Sequence, residues 1–228
     1  MKKQYLGDER DLFKFDLIKE IIQGINTIER FTYIPMLTRY DSEYETHGNQ
    51  RNLEKAIGNL NTEFVAVLKK YEFEPIIERN FDRIKEYFKK LGNDVKFYKE
   101  NETFTDDARV QYFKNIPHDL LSKSLVFVDP DTGLQSKSPS EKHILYWEVS
   151  YLYDQMDDDS LLMIYQHSKH RPFSQVKRKL ETNITNSSIY ISDKSIALFF
   201  LAKNGISKED LRGILKEYTK KYPDLEVK

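Results

Sequence analysis

Ser124-Leu-Val-Phe-Val-Asp-Pro-Asp-Thr-Gly-Leu134 decides how the rest of the chain is read. Residues 125–128 form an unbroken apolar run with β-branched members, the pattern of a strand buried on both faces. Asp129, Pro130 and Asp131 end it, and Gly133 lets the backbone turn. Open α/β sheets place their chemistry beyond the carboxyl ends of parallel strands. Two carboxylates two residues apart at that point are therefore candidate functional groups, although the same residues also suit an ordinary strand-ending turn.

Working outward, residues 160–167 (Ser-Leu-Leu-Met-Ile-Tyr-Gln-His) read as a second buried strand that ends in Gln166 and His167. Residues 31–38 read as the first strand, with Pro35 awkward for a central position because it cannot donate to the ladder. A polar loop follows, carrying Asp41, Glu43, His47 and Gly48. Before the first strand, Leu12, Phe13, Phe15, Leu17, Ile18, Ile21 and Ile22 follow helical spacing, with Asp8 or Asp11 able to cap and Gly24 to stop the helix. Lys14 sits between Phe13 and Phe15 and reads as a surface lysine whose stem lies over the core.

The remaining segments alternate in the same way. Asn49 or Asn52 starts a helix running to about residue 70, and residues 73–77 suggest a short strand despite Pro75. An amphipathic helix over 79–91, a strand over 95–98 and a helix capped by Thr105 come next. A helix over 141–156 contains Tyr146-Trp147-Glu148, with Trp147 expected in the core. Lys169, His170 and Arg171, then Lys177, Arg178 and Lys179 on a helix, form a basic segment. Residues 189–201 predict a hairpin about Ser192-Asp193-Lys194, and Ser207 opens a last helix to about residue 222.

Strands alternating with helices predict one α/β domain over residues 1–228, Rossmann-like, with a mostly parallel sheet, helices on both faces and a C-terminal antiparallel hairpin. That combination is the layout of class I methyltransferases; flavodoxin-like and nuclease-like α/β folds are the competitors. The chain has no cysteine, which removes disulfides, thiolate metal sites and a thiol nucleophile. No segment has signal-peptide character or the roughly 20 apolar residues of a membrane span, so a cytoplasmic protein without a membrane partner is expected. With 36 basic and 37 acidic residues the charge is balanced, which argues against a DNA-coating protein but permits a local basic patch.

The segments Leu6-Gly-Asp-Glu-Arg-Asp-Leu-Phe-Lys-Phe-Asp16, Val128-Asp-Pro-Asp-Thr-Gly-Leu134, Tyr146-Trp147 and Ile164-Tyr-Gln-His167 resemble, in this order, a bacterial family without an assigned activity. More distantly, the opening Gly-Asp-(two residues)-Asp-Leu-Phe-Lys is similar to the first helix of class I ribosomal-RNA adenine methyltransferases. In those enzymes a strand ends in Asp-Pro-Pro-Tyr, which handles the target amine and stacks on the flipped base. Here Asp129 and Pro130 match, while Asp131 and Thr132 replace Pro and Tyr. The resemblance implies S-adenosylmethionine as cofactor and nucleic acid as partner, and it brings Lys14, Asp8 and Asp11 toward the strand ends.

Two chemistries compete for these groups. In methyl transfer, Asp129 aligns an amine or ribose, Asp131, His167 and Lys14 complete the catalytic set, and Asp8, Asp11, Thr38 or Asp41 holds the cofactor. In a metal-dependent nuclease, Asp129 and Asp131 with Glu148 or His167 hold Mg²⁺ or Mn²⁺. The chain lacks the Glu-x-Lys spacing of restriction-type nuclease cores. Lys169, Arg171, Lys177 and Arg178 suit phosphate contacts. A degenerate fold serving as a binding or scaffold subunit is the non-enzymatic reading.

Overall fold

A computed structural model describes residues 1–39, 52–168 and 171–228. In chain order the strands are β1 (Arg30–Ile34), β2 (Asp94–Phe97), β3 (Ser124–Val128), β4 (Gly133–Leu134), β5 (His143–Ile144), β6 (Leu161–His167), β7 (Ile189–Ser192), β8 (Ile196–Ala202) and β9 (Glu226–Val227). The α-helices are α1 (Glu9–Gly24), α2 (Thr62–Lys69), α3 (Asp82–Lys90), α4 (Arg109–Lys114), α5 (Tyr146–Gln155), α6 (Phe173–Asn183) and α7 (Lys208–Lys221).

A seven-stranded sheet has the order β2-β1-β3-β6-β8-β7-β9, and β4 and β5 pair separately. β1 runs parallel to β2 and β3, and β3 parallel to β6. β8 is antiparallel to both β6 and β7, and β9 antiparallel to β7. Hence β1, β2, β3, β6 and β7 point one way, and the fold is mixed α/β on a mostly parallel sheet. The chain leaves β1 for β2 on one side and then returns to β3 on the other. That reversal opens a crevice at the carboxyl ends of β1 and β3.

Strand periodicity divides the core in two. Phe31, Tyr33, Leu125, Phe127, Leu161, Met163 and Tyr165 face α1, α2, α3 and α7. Thr32 and Ser124 bond to each other on the far side, where Ile34, Val126, Val128, Leu162 and Ile164 face α4, α5 and α6. Phe15 anchors the first face, with its ring centroid 5.5 Å from Tyr33 and 6.2 Å from Phe127. Because α1 is enclosed by the sheet, α2 and α7, it is buried nearly all round, including Asp11, Lys14 and Asp16. This overturns the surface reading of Lys14. Tyr218 and Asn61 each donate to Asp16, at 2.9 Å, which pays for its burial.

Other expectations change with the local chemistry. Residues 73–77 are not a strand: 3₁₀ turns flank Pro75, and Phe73 and Ile77 stand exposed. Asn49 lies outside the described residues and Asn52 starts no helix; the helix begins at Thr62, capped by the Asn61 side chain, which accepts from the Phe64 N–H. β1 ends at Ile34, immediately before Pro35. Trp147 is 40 % exposed rather than core. The hairpin and the α7 cap on Ser207 form as expected.

The turn after β3 is built around Gly133, whose φ of 123° is costly for any side chain. A Cβ there would lie 2.6 Å from Gln166 Oε1, and that oxygen accepts the Leu134 N–H at 2.8 Å. Gly133→Ala is expected to cost about 1–3 kcal/mol through backbone strain and displacement of buried Gln166. Urea unfolding of the variant checks this. A loss below about 0.5 kcal/mol would mean that the turn is soft.

Candidate functional site

Side chains from α1, the turn after β3 and the end of β6 meet in a crevice of about 200 Å³. Asp8, Arg10, Asp11, Lys14, Asp129, Asp131, Tyr165 and His167 all line it. Lys14 is its hub and only 4 % exposed. Lys14 Nζ lies 2.8 Å from Asp11 Oδ1 and 2.8 Å from Asp129 Oδ2, and 4.9 Å from the centre of the Tyr165 ring. Burial alone would lower its pKa; the Asp11 and Asp129 carboxylates outweigh that and hold it above the usual lysine range. An amine so committed is a fixed positive charge, not a nucleophile or a proton carrier.

Asp129 is set with equal care. Its Oδ2 also accepts from the Tyr33 hydroxyl at 2.7 Å, and its backbone N–H donates to Ile34 O at 2.9 Å. Burial, then the Asp129 charge, pushes the Tyr33 hydroxyl well above its ordinary pKa, so it stays a donor. Two donors on Oδ2 leave Oδ1 with no hydrogen bond among the described residues. Asp131, half-buried, is held by no hydrogen bond or ion pair to another described residue. The site therefore offers two carboxylate acceptors to a ligand, one rigid and one free to adjust.

The start of α1 supplies the opposite wall. Asp8 is its N-cap, and its Oδ1 accepts from the Arg10 and Asp11 backbone N–H groups at 2.9 Å each. Asp11 Oδ2 accepts the Gly7 N–H at 2.8 Å, so both Asp11 oxygens are used inside the protein. Arg10 Nη2 lies 3.3 Å from His167 Nε2. A guanidinium only donates, so this contact requires an unprotonated Nε2 and a neutral imidazole. Protonating His167 would set two cations against each other.

Burial, then the neighbouring Asp11 charge, raises the Asp8 carboxyl from 3.8 to about 6. A raised acid favours its protonated form in the folded state, so it costs stability as pH rises from about 3.8 to about 6. Asn keeps the cap without the charge. Asp8→Asn is therefore expected to match the parent at pH 3.5 and to exceed it in stability at pH 7. Chemical unfolding at both pH values reads the difference; a variant less stable at pH 7 would show that the ionised carboxylate is needed.

Several predicted site residues lie elsewhere. Glu148 is fully buried on the inner side of α5: Arg109 Nη1 donates to both its oxygens at 2.7 and 2.9 Å, and its Oε2 accepts the Leu145 N–H. Burial raises its pKa to about 7, while the Leu145 N–H and Arg109 pull it down. It is a helix cap and ion-pair partner, and the set Asp129, Asp131 and Glu148 does not assemble. Among the described residues no three His, Asp or Glu side chains group to hold a metal ion. Thr38 is fastened to the Met1 carbonyl through its N–H at 2.9 Å and does not line the crevice.

The described residues expected to contact phosphate lie just after β6 and on α6. Arg171 donates to the Leu134 and Gln135 carbonyls at 2.7 and 2.8 Å, fixing the turn after β3. Lys177 lies 3.8 Å from Glu181 on α6, and Arg178 is exposed there. Asp41, Glu43, His47, Gly48 and Lys169 lie outside the described residues. Two contributors escaped the sequence reading, Tyr33 and Arg10. A tyrosine facing inward on a buried strand needs a partner for its hydroxyl, and that requirement is the signal by which Tyr33 could have been found.

Compared with known proteins, this chain matches no family model, no curated protein and no solved structure.

Proposed function

We propose that the protein is an enzyme of methyltransferase-like architecture that positions an amine or hydroxyl group of a nucleic acid against Asp129. The observation that carries this reading is the fixed carboxylate: Lys14 and Tyr33 both grip Oδ2, leaving Oδ1 to accept from a ligand donor. The sheet supports it as well. β8 lies antiparallel between β6 and β7, the terminal-hairpin layout of class I methyltransferases. Asp129-Pro130 follows β3 at the point where the strand order reverses.

The implied cofactor is S-adenosylmethionine, and the donor set suits its polar end. The crevice mixes Asp8, Asp11, Asp129 and Asp131 with Arg10, Lys14 and Lys142, which matches a group carrying an ammonium, a carboxylate and a sulfonium. Its volume suits that end rather than the whole molecule, since pockets for drug-sized ligands span about 300–1,000 Å³. When bound, the cofactor supplies an electrophilic methyl group. Asp131 would neutralise positive charge, Arg10 would meet the carboxylate, and Asp129 Oδ1 would orient the accepting group. Such a transfer asks for alignment more than acid–base power, which fits a lysine and a tyrosine both locked in one protonation state.

Incubation with methyl-labelled S-adenosylmethionine and total RNA or DNA tests the reading. Label in the nucleic acid, lost in Asp131→Asn, supports it. Strand cleavage dependent on Mg²⁺ or Mn²⁺ without labelling would replace it with hydrolysis.

A further inference from the structure

A surface helix normally turns a polar face to solvent, and α5 turns a mixed one, with Trp147 and Tyr151 set among Ser150 and Asp154. Glu148, Val149 and Leu152 fill its buried side. On the outer side Trp147, Ser150, Tyr151 and Asp154 follow one another at i, i+3, i+4 and i+7. With Tyr146 and Asn183 they line an open groove of about 480 Å³. Trp147 is 40 % exposed, yet its position is fixed from behind by the Phe113 ring, 6.3 Å away and edge-on at 74°. The groove shares no lining residue with the Asp129 crevice.

The chemistry of the lining selects an occupant. Aromatic faces are negative, and the single charged lining residue is Asp154, which has no ion pair among the described residues. A nucleic-acid strand stacked on these rings would bring its phosphates against that carboxylate. A cation gains from both. We propose that the α5 groove, lined by Trp147, Tyr146 and Tyr151, binds a small organic cation of the alkylammonium class, with Asp154 as the counter-charge.

Trp147 is the only tryptophan in the chain, so its fluorescence reports on this groove directly. The probes are choline and 3,3-dimethylbutan-1-ol, which has the same shape without the charge. Choline is expected to give a saturable change, at least about tenfold tighter than the neutral analogue and about tenfold weakened in Asp154→Asn, with sodium chloride silent. Asp154 is exposed, so the variant is expected to keep the parent's circular dichroism spectrum. Equal affinity for the two probes would mark a general apolar groove and overturn the proposal. So would a flat response to both, or a signal from an oligothymidylate with choline silent.

Discussion

Lys14→Met is expected to destabilise the protein by about 3–5 kcal/mol at neutral pH, the usual cost of removing one partner from a buried ion pair. The stem of methionine fills nearly the same space, so the loss is electrostatic. Asp11 and Asp129, both about 1 % exposed, would keep their charges with no cation between them. The sign of the pH dependence follows. In the variant the Gly7 N–H and the Tyr33 hydroxyl still donate to the two carboxylates, but the lysine charge that compensated their burial is gone. Adding a proton removes an uncompensated buried charge, so the deficit is largest at neutral pH and shrinks toward acid. Urea unfolding at pH 7.5 and pH 5 measures it. The double variant Lys14→Met/Asp129→Asn should recover part of the loss, because one orphaned charge is gone. A deficit under about 1 kcal/mol at pH 7.5 would show that the cluster is hydrated and loose.

The aspartates after β3 are expected to separate stability from function. Asp131→Asn touches no hydrogen bond or ion pair among the described residues, so unfolding should move by no more than about 0.5 kcal/mol. Ligand affinity should nevertheless fall about 10–100-fold, the worth of a charge-assisted hydrogen bond. Asp129→Asn should lower both, because its Oδ2 also anchors Lys14 and Tyr33. Measuring unfolding and affinity on each variant distinguishes the roles. Equal behaviour of the two variants in both assays would mean that the pair acts only in packing.

The buried strands were legible because they need no partner information. An apolar run stopped by Asp129-Pro130-Asp131 and another stopped by Gln166-His167 can hardly lie anywhere but mid-sheet, and β3 and β6 pair directly. The hairpin of β7 and β8 was equally local. Lys14 was misread for the opposite reason. Helical spacing gives the faces of α1 but not what covers them, and the turn after β3, more than 100 residues away in sequence, sets Asp129 against Lys14. Glu148 shows the same gap. It was a candidate, as an alternative to His167, to complete a metal set with Asp129 and Asp131, whereas Arg109 on α4 claims both its oxygens. Among the described residues no helix is long and apolar enough to cross a membrane.

Titration calorimetry with S-adenosylmethionine, on the parent protein and on Asp131→Asn, asks whether the crevice around Asp129 and Lys14 receives a polar ligand. Saturable heat in the parent, weakened at least about tenfold in a variant of unchanged stability, is the predicted result. No heat in the parent, or the same affinity in both proteins, would contradict it.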